Sequence, residues 1–335
     1  FLASDGEKVG DMSIERDRVA PPWLGSDVGK HPGQVLPGWE PLEVENDAVM
    51  MIGRRIEFGA DGWPHKIISQ GQNLLAGPMK VSLEMAEETL LPRAAETTVK
   101  IEKRADDEVL TEGSASAGNW TVRTRCKIDY DGMMRVRMEL TGKATAKLDG
   151  LSIEIPVTAR DGEYYGYWTG ARNFRAACWY GATPKKEGVV FRSDKPRRRK
   201  SERIKGSFVP YVTLAGADRG LAWFAENDRG WTKHDDKPSV VVERTDSGVT
   251  LRLNIIQETT AIEEDLTLEF GLQPAPVRAP AEDRRSTASR LHFGWVDGFS
   301  KQDLKTPGNW GSFNIYPYEY DWDAAARRAE LHHFH

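Results

Sequence analysis

The clearest signal along the chain is alternation. In VRTRCKI, Val122, Thr124, Cys126 and Ile128 fall on one face, and Arg123, Arg125 and Lys127 on the other. In MRVRMEL the apolar set is Met134, Val136, Met138 and Leu140. A period of two with one wet face belongs to antiparallel sheet. Other stretches rich in β-branched and aromatic residues recur between turn signals: AVMMIGRRIEF (48–58), MKVSLEMA (79–86), TTVKIEKR (97–104), LSIEIPV (151–157), SFVPYVTLA (207–215), GLAWFAE (220–226), VTLRLNII (249–256) and LTLEFGL (266–272). Asp131-Gly132 sits between two of the alternating runs as a hairpin signal, and Asp149-Gly150 repeats it. No helical periodicity of ten residues or more shows between 48 and 272. The predicted fold is mainly β, a large antiparallel β-sandwich of a dozen or more strands.

The flanks break this pattern. Residues 1–47 form an extended N-terminal arm rich in Gly, Pro and charge, with five prolines in PPWLGSDVGKHPGQVLPGWEPL. The sandwich spans 48–273, and PAPVRAPAEDRRSTASR opens a linker over 274–290. In 291–335, LHFGWVD (291–297) reads as a short strand, followed by a Gly/Pro/aromatic loop. A helix then follows in AAARRAEL, with Asp321 or Asp323 as its cap. The closing HHFH reads as the start of another strand. This rhythm predicts a short α/β segment that looks like the start of a (β/α)8 barrel.

Composition narrows the function classes. Of 335 residues, 39% are hydrophobic and 29% charged, with a net charge of −5, which argues against global disorder and against a dedicated nucleic-acid binder. No apolar run approaches the ~20 residues that cross a bilayer as a helix. The chain opens on Phe1 without a charged-then-apolar leader, which predicts a processed product. Cys126 and Cys178 are the only cysteines; one disulfide and two separate thiols are both open. KPRRRKSERIK (195–205) carries seven basic residues, but without interleaved aromatics it reads as a solvated loop.

Eleven Trp exceed what this length ordinarily carries. The densest aromatic cluster is EYYGYWTGARNF (163–174) with CWY (178–180), which includes Tyr164, Tyr165, Tyr167, Trp168, Trp179 and Tyr180. Flat rings edged with polar groups suit the apolar face and hydroxyl rim of a sugar, while strand alternation would turn half of them into the core. In AENDRGW (225–231), Asp228 is read as closing an Asx-turn ahead of Trp231. Trp295 and Asp297 would face a barrel's active-site mouth if LHFGWVD is its first strand. The substrate-binding candidates are therefore Tyr165, Tyr167, Trp168, Trp179, Trp231, Trp295 and Asp297. His333 and His335 share a face as a strand, but a metal site needs three or four ligands and convincing partners are missing. No metal and no cofactor are expected.

Several phrases together resemble proteins related to glycoside hydrolase family 123. They are PPWLGSDVG (21–29) with VLPGWEPLEVE (35–45), IEFGADGWPHKIISQGQNLLAGPM (56–79), YDGMMRVRMEL (130–140), GLAWFAENDRGW (220–231) and LTLEFGLQPAPV (266–277). The resemblance implies a β-sandwich preceding a (β/α)8 barrel, and a retaining exo-hydrolase acting on β-linked N-acetylhexosamine or a related glycan. It implies an adjacent Asp-Glu pair on the barrel, working with the substrate's acetamido group. Asp107-Glu108 and Glu282-Asp283 do not fit that position, so no catalytic residue is carried over, and this chain is expected to lack the catalytic pair. The resemblance further implies a glycan partner and an extracellular or periplasmic location. A non-catalytic glycan-binding or structural sandwich of a cell-surface assembly, including an oligomer formed through the sandwich, is the alternative.

Overall fold

The computed structural model of the chain describes residues 25–26, 32–36, 38–86, 88–142, 147–169, 178–195, 207–232, 234–262 and 265–277. The described residues form antiparallel strands and, among them, no helix. The strand and helix expected over 291–335, with Trp295 and Asp297, lie outside the described residues, so the expected barrel opening gains no support from the structure. Most of the linker lies outside them too.

Three sheets build the body. The large one runs β16 (Cys178–Ala182), β15 (Tyr164–Trp168), β18 (Tyr211–Ala215), β19 (Gly220–Phe224), β23 (Leu266–Ala275), β12 (Met134–Thr141), β11 (Trp120–Asp129), β10 (Glu108–Ala117), β8 (Arg93–Ala94), with β9 (Lys100–Lys103) also on β10. A second runs β17 (Gly188–Arg192), β20 (Val240–Arg244), β21 (Gly248–Ile256), β14 (Gly150–Thr158), β6 (Lys80–Met85), β7 (Glu88–Leu90). A small one follows chain order: β1 (Glu43–Glu45), β2 (Ala48–Met51), β3 (Arg54–Phe58), β4 (Pro64–Ser69), β5 (Gln72–Asn73). A short ladder of β13 (Lys147–Leu148) and β22 (Thr260–Ala261) stands apart.

The alternating sequences fold as expected. Val122, Cys126 and Ile128 of β11 and Met134, Val136, Met138 and Leu140 of β12 are buried, while Arg123 and Arg135 stay exposed. Their inward side joins the second sheet in one continuous apolar cluster. Tyr167 of the large sheet stacks on Phe191 of the second at 4.3 Å, which ties the layers together. The small sheet covers another part of the same inner side. Its β3–β4 loop brings Trp63 onto Phe270 of β23, with ring centroids 6.2 Å apart. The Cys126 thiol points at the carbonyl of Gly62 in that loop, 3.7 Å away. Each large side chain so buried contributes about 1.5–3 kcal/mol.

Asp131-Gly132 makes the expected turn between β11 and β12, and Gly132 takes φ of +80°, which glycine adopts without steric cost. Asp149-Gly150 does not make a hairpin, because β13 pairs with β22 rather than with β14. Asp149 instead accepts from the backbone N–H of Ala86 at 2.7 Å and the hydroxyl of Thr259 at 2.6 Å, pinning two connections. AVMMIGRRIEF is two strands rather than one, broken by a turn at Gly53 with φ of +68°. The arm already enters the small sheet at Glu43, since β1 pairs with β2. Further back it crosses the large sheet's end, where the N–H of Gly33 meets Asp107 at 2.9 Å and Trp39 meets Tyr130 edge-on.

Candidate functional site

The aromatic cluster divides by strand parity. On β15, Tyr165 and Tyr167 turn inward, 4% and 1% exposed, and pack on Phe191. Tyr164 and Trp168 turn outward, 46% and 38% exposed. The edge strand β16 carries Tyr180, 62% exposed, directly across from Gly166. A Cβ placed on Gly166 would lie 2.4 Å from Cδ1 and 2.6 Å from Cε1 of Tyr180, so one edge of this ring closes over the glycine. Trp179 pairs with Tyr167 and is half-buried against the core.

The same outward face continues across β18 and β19. Tyr211 pairs with Trp168 on one side and with Phe224 on the other. Phe224 in turn lies over Gly271 of β23, whose added Cβ would meet the ring at 2.2 Å. Between these rings stand small residues, Thr213 and Ala222 among them. Among the described residues, no outward position from β16 to the Gly271 end of β23 carries a charge.

Beyond Gly271 the face changes character. Glu112 of β10 takes Arg123 at 2.7 Å and Arg125 at 2.6 Å from β11. Glu139 of β12 takes Arg137 at 3.0 Å, and Glu269 of β23 takes Arg135 at 2.6 Å. The arginines hold the Glu112 carboxyl below its ordinary range through two hydrogen bonds and their charge. Here the charges satisfy one another and are solvated, and each such pair adds little.

Of the other candidates, Trp231 is half-buried, edge-on to Phe208 at 5.2 Å and beside Trp223 at 6.2 Å, so it serves packing. The turn before it is closed by Asn227, whose side-chain Oδ1 accepts from the N–H of Arg229 at 3.0 Å; Asp228 contributes its backbone carbonyl to Trp231. Asp107 caps the arm and Glu108 pairs with Lys127 at 2.9 Å, so this adjacent carboxylate pair is engaged in structure. Lys195 aside, the basic stretch lies outside the described residues, as do the terminal histidines. Burial pushes the Cys126 thiol up to about 12, leaving it inert at neutral pH. No cluster of three or more metal-ligating side chains occurs among the described residues. No helix there is long and apolar enough to cross a membrane.

Sequence reasoning singled out this stretch, but it put Tyr165, Tyr167 and Trp179 ahead of the outward Tyr164 and Tyr180 because it lacked the strand phase. Tyr211 and Phe224 were not singled out. The signal that finds them is cross-strand register: Tyr211 stands one pairing step from Trp168 and Phe224 two, along the same face.

Residues 42–173 match the family model described as glycoside hydrolase 123, third domain. The resemblance read from the sequence is thereby supported independently over that stretch. No curated protein matches the sequence. Among solved structures, a putative aldose 1-epimerase from Escherichia coli K12 is 9% identical, with a TM-score of 0.38 over 70% of this chain and 98% of that one. An amine oxidase from Aspergillus nidulans is 10% identical, with a TM-score of 0.40 over 80% of this chain and 56% of that one.

Proposed function

We propose that the chain is the β-sandwich portion of a carbohydrate-active protein of the glycoside hydrolase 123 type. The observation that carries this reading is the family match over residues 42–173. That stretch contains β1 to β15 and therefore strands of all three sheets. The parent activity on this reading is a retaining exo-hydrolysis of β-linked N-acetylhexosamine or a related glycan, carried out outside the cytoplasm.

Catalysis is not assigned to the sandwich. Two-carboxylate glycoside chemistry needs an acid/base and a partner poised on either side of one scissile bond. Among the described residues, Asp107 and Glu108 hold Gly33 and Lys127 instead. Release of p-nitrophenol from p-nitrophenyl N-acetyl-β-galactosaminide by the 335-residue chain tests this. No sustained turnover above the uncatalysed rate is expected; steady turnover that survives repurification would overturn the assignment of the sandwich as non-catalytic.

A further inference from the structure

We propose that the outward face formed by Tyr164, Trp168, Tyr180, Tyr211 and Phe224 is a binding platform for a neutral oligosaccharide. The proposal rests on the glycan reading above and gives it a place and a ligand class.

Four observations meet on this face. The first is orientation. A tyrosine on a strand ordinarily stands off the sheet, but Tyr180 lies across Gly166 and Phe224 across Gly271, each where a Cβ would collide with the ring. Phe224 meets that position with three ring atoms and Tyr180 with one ring edge, so both rings are held down on the sheet, and aromatic surface held so is what packs against the axial C–H face of a pyranose. The second is charge. The outward positions here bear none among the described residues, while the neighbouring strands β10 to β12 bear a saturated ion-pair ladder. At the described outward positions of this half, a sialylated, sulfated or phosphorylated ligand finds no cation to offset its desolvation.

The third is polar edging. The hydroxyls of Tyr164, Tyr180 and Thr213 border the rings, supplying donors and acceptors for sugar hydroxyls without fixed charge. The fourth is extent. From Tyr180 on β16 to Phe224 on β19 the face crosses three strand spacings, roughly 14 Å, which exceeds one sugar ring. An oligosaccharide is therefore the matching occupant, and affinity should rise with chain length.

Where β23 ends, the carbonyls of Pro274 and Val277 are held by the Arg54 guanidinium, and that of Ala275 by Ser69 at 3.1 Å. Both holding residues belong to the small sheet, on the opposite side of the large one from the aromatic face.

The test uses the 335-residue chain on a glycan array carrying β-linked N-acetylhexosamine oligomers of increasing length beside sialylated and sulfated counterparts. Titration with a bound oligomer, followed by tryptophan fluorescence, gives affinities. Binding to neutral oligomers that strengthens with length supports the proposal. So does a loss of about tenfold or more in Tyr180→Ala. Gly166→Ala keeps every ring but displaces Tyr180 from the sheet, and should weaken binding while leaving the thermal unfolding midpoint within a few degrees. Arg123→Ala, on the charged half, should change nothing. Neutral binding that survives both Tyr180→Ala and Gly166→Ala, or that follows Arg123→Ala, overturns the platform and leaves the family reading intact. Failure of the intact chain to bind any neutral oligomer also overturns the platform, while the hydrolysis assay tests the family reading separately.

Discussion

The Arg219–Asp161 pair should be among the most sensitive points in the molecule. Both side chains are almost completely buried, with 3% and 2% of their side-chain surfaces exposed. Asp161 accepts from Arg219 twice, at 3.0 and 3.1 Å, and from the Thr158 hydroxyl at 2.8 Å. Arg219 also donates to the Gln72 side chain at 3.2 Å. The pair joins the β14–β15 connection, the β18–β19 turn and β5, so three segments far apart in sequence share one charge pair. Replacing Arg219 by Met leaves the Asp161 carboxylate buried with only the Thr158 hydroxyl as a side-chain partner. Breaking a buried pair from one side costs about 3–5 kcal/mol. For a unit of this size that corresponds to roughly 10 °C in unfolding midpoint. Urea and thermal unfolding followed by tryptophan fluorescence read the loss. Removing both charges, as Asp161→Asn with Arg219→Met, should cost clearly less than the sum of the single changes, because neither then strands a charge. A single Arg219→Met costing under about 1 kcal/mol would refute the claim that the pair is desolvated and coupled.

Three further outcomes follow from named contacts. Gly113→Val should destabilise by about 1–3 kcal/mol or more through overpacking, seen in the same unfolding assay, since a Cβ there lies 2.2 Å from the Gly62 nitrogen. In a Cys178→Ser background, the native protein should resist alkylation by iodoacetamide at pH 8 and react fully in urea, because Cys126 is buried with its pKa raised to about 12. His65 should titrate above its ordinary value, because it hydrogen-bonds Asp61 at 3.3 Å against an opposing effect of burial. Its contribution to stability is then complete below the unfolded pKa of about 6.5 and is lost as pH rises through the folded value. Asp61→Asn should abolish that dependence and lower the His65 midpoint in an NMR titration.

The fold was legible wherever one face is wet. VRTRCKI and MRVRMEL announce β11 and β12 because their charged sides face solvent and form the Glu–Arg ladder. β10 escaped notice because its sequence, EVLTEGSASA, is poor in β-branched and aromatic residues. The structure supplies the reason: the β3–β4 loop presses its backbone onto this strand at Gly113, leaving space for small residues only. Composition there answers a long-range contact that no local pattern encodes. The aromatic face was half legible. That EYYGYW is unusual is plain from the sequence, but its phase depends on Gly166 facing out, and Phe224 joins the face only through pairings across β18 and β19. Asp149-Gly150 misled for the opposite reason, a local hairpin signal overridden by the side chain of Asp149 bonding to Ala86 and Thr259.

The place of β23 in the large sheet has a consequence for synthesis of the protein. It stands between β19 and β12, pairing with each, and so joins two groups of strands that are otherwise not neighbours. One group, β10 to β12, is complete by Thr141; the other, β15 to β19, by Phe224. Until Ala275 has left the ribosome, each group carries an open inner edge, the kind of template that pairs with other chains. A chain stalled after Phe224 would thus expose two unpaired edges, and arrest there should recruit chaperones more strongly than arrest past Val277. Among the described strands of this sheet β23 is the last to emerge and closes it, and Arg54, made some two hundred residues earlier, is already in place to hold its end.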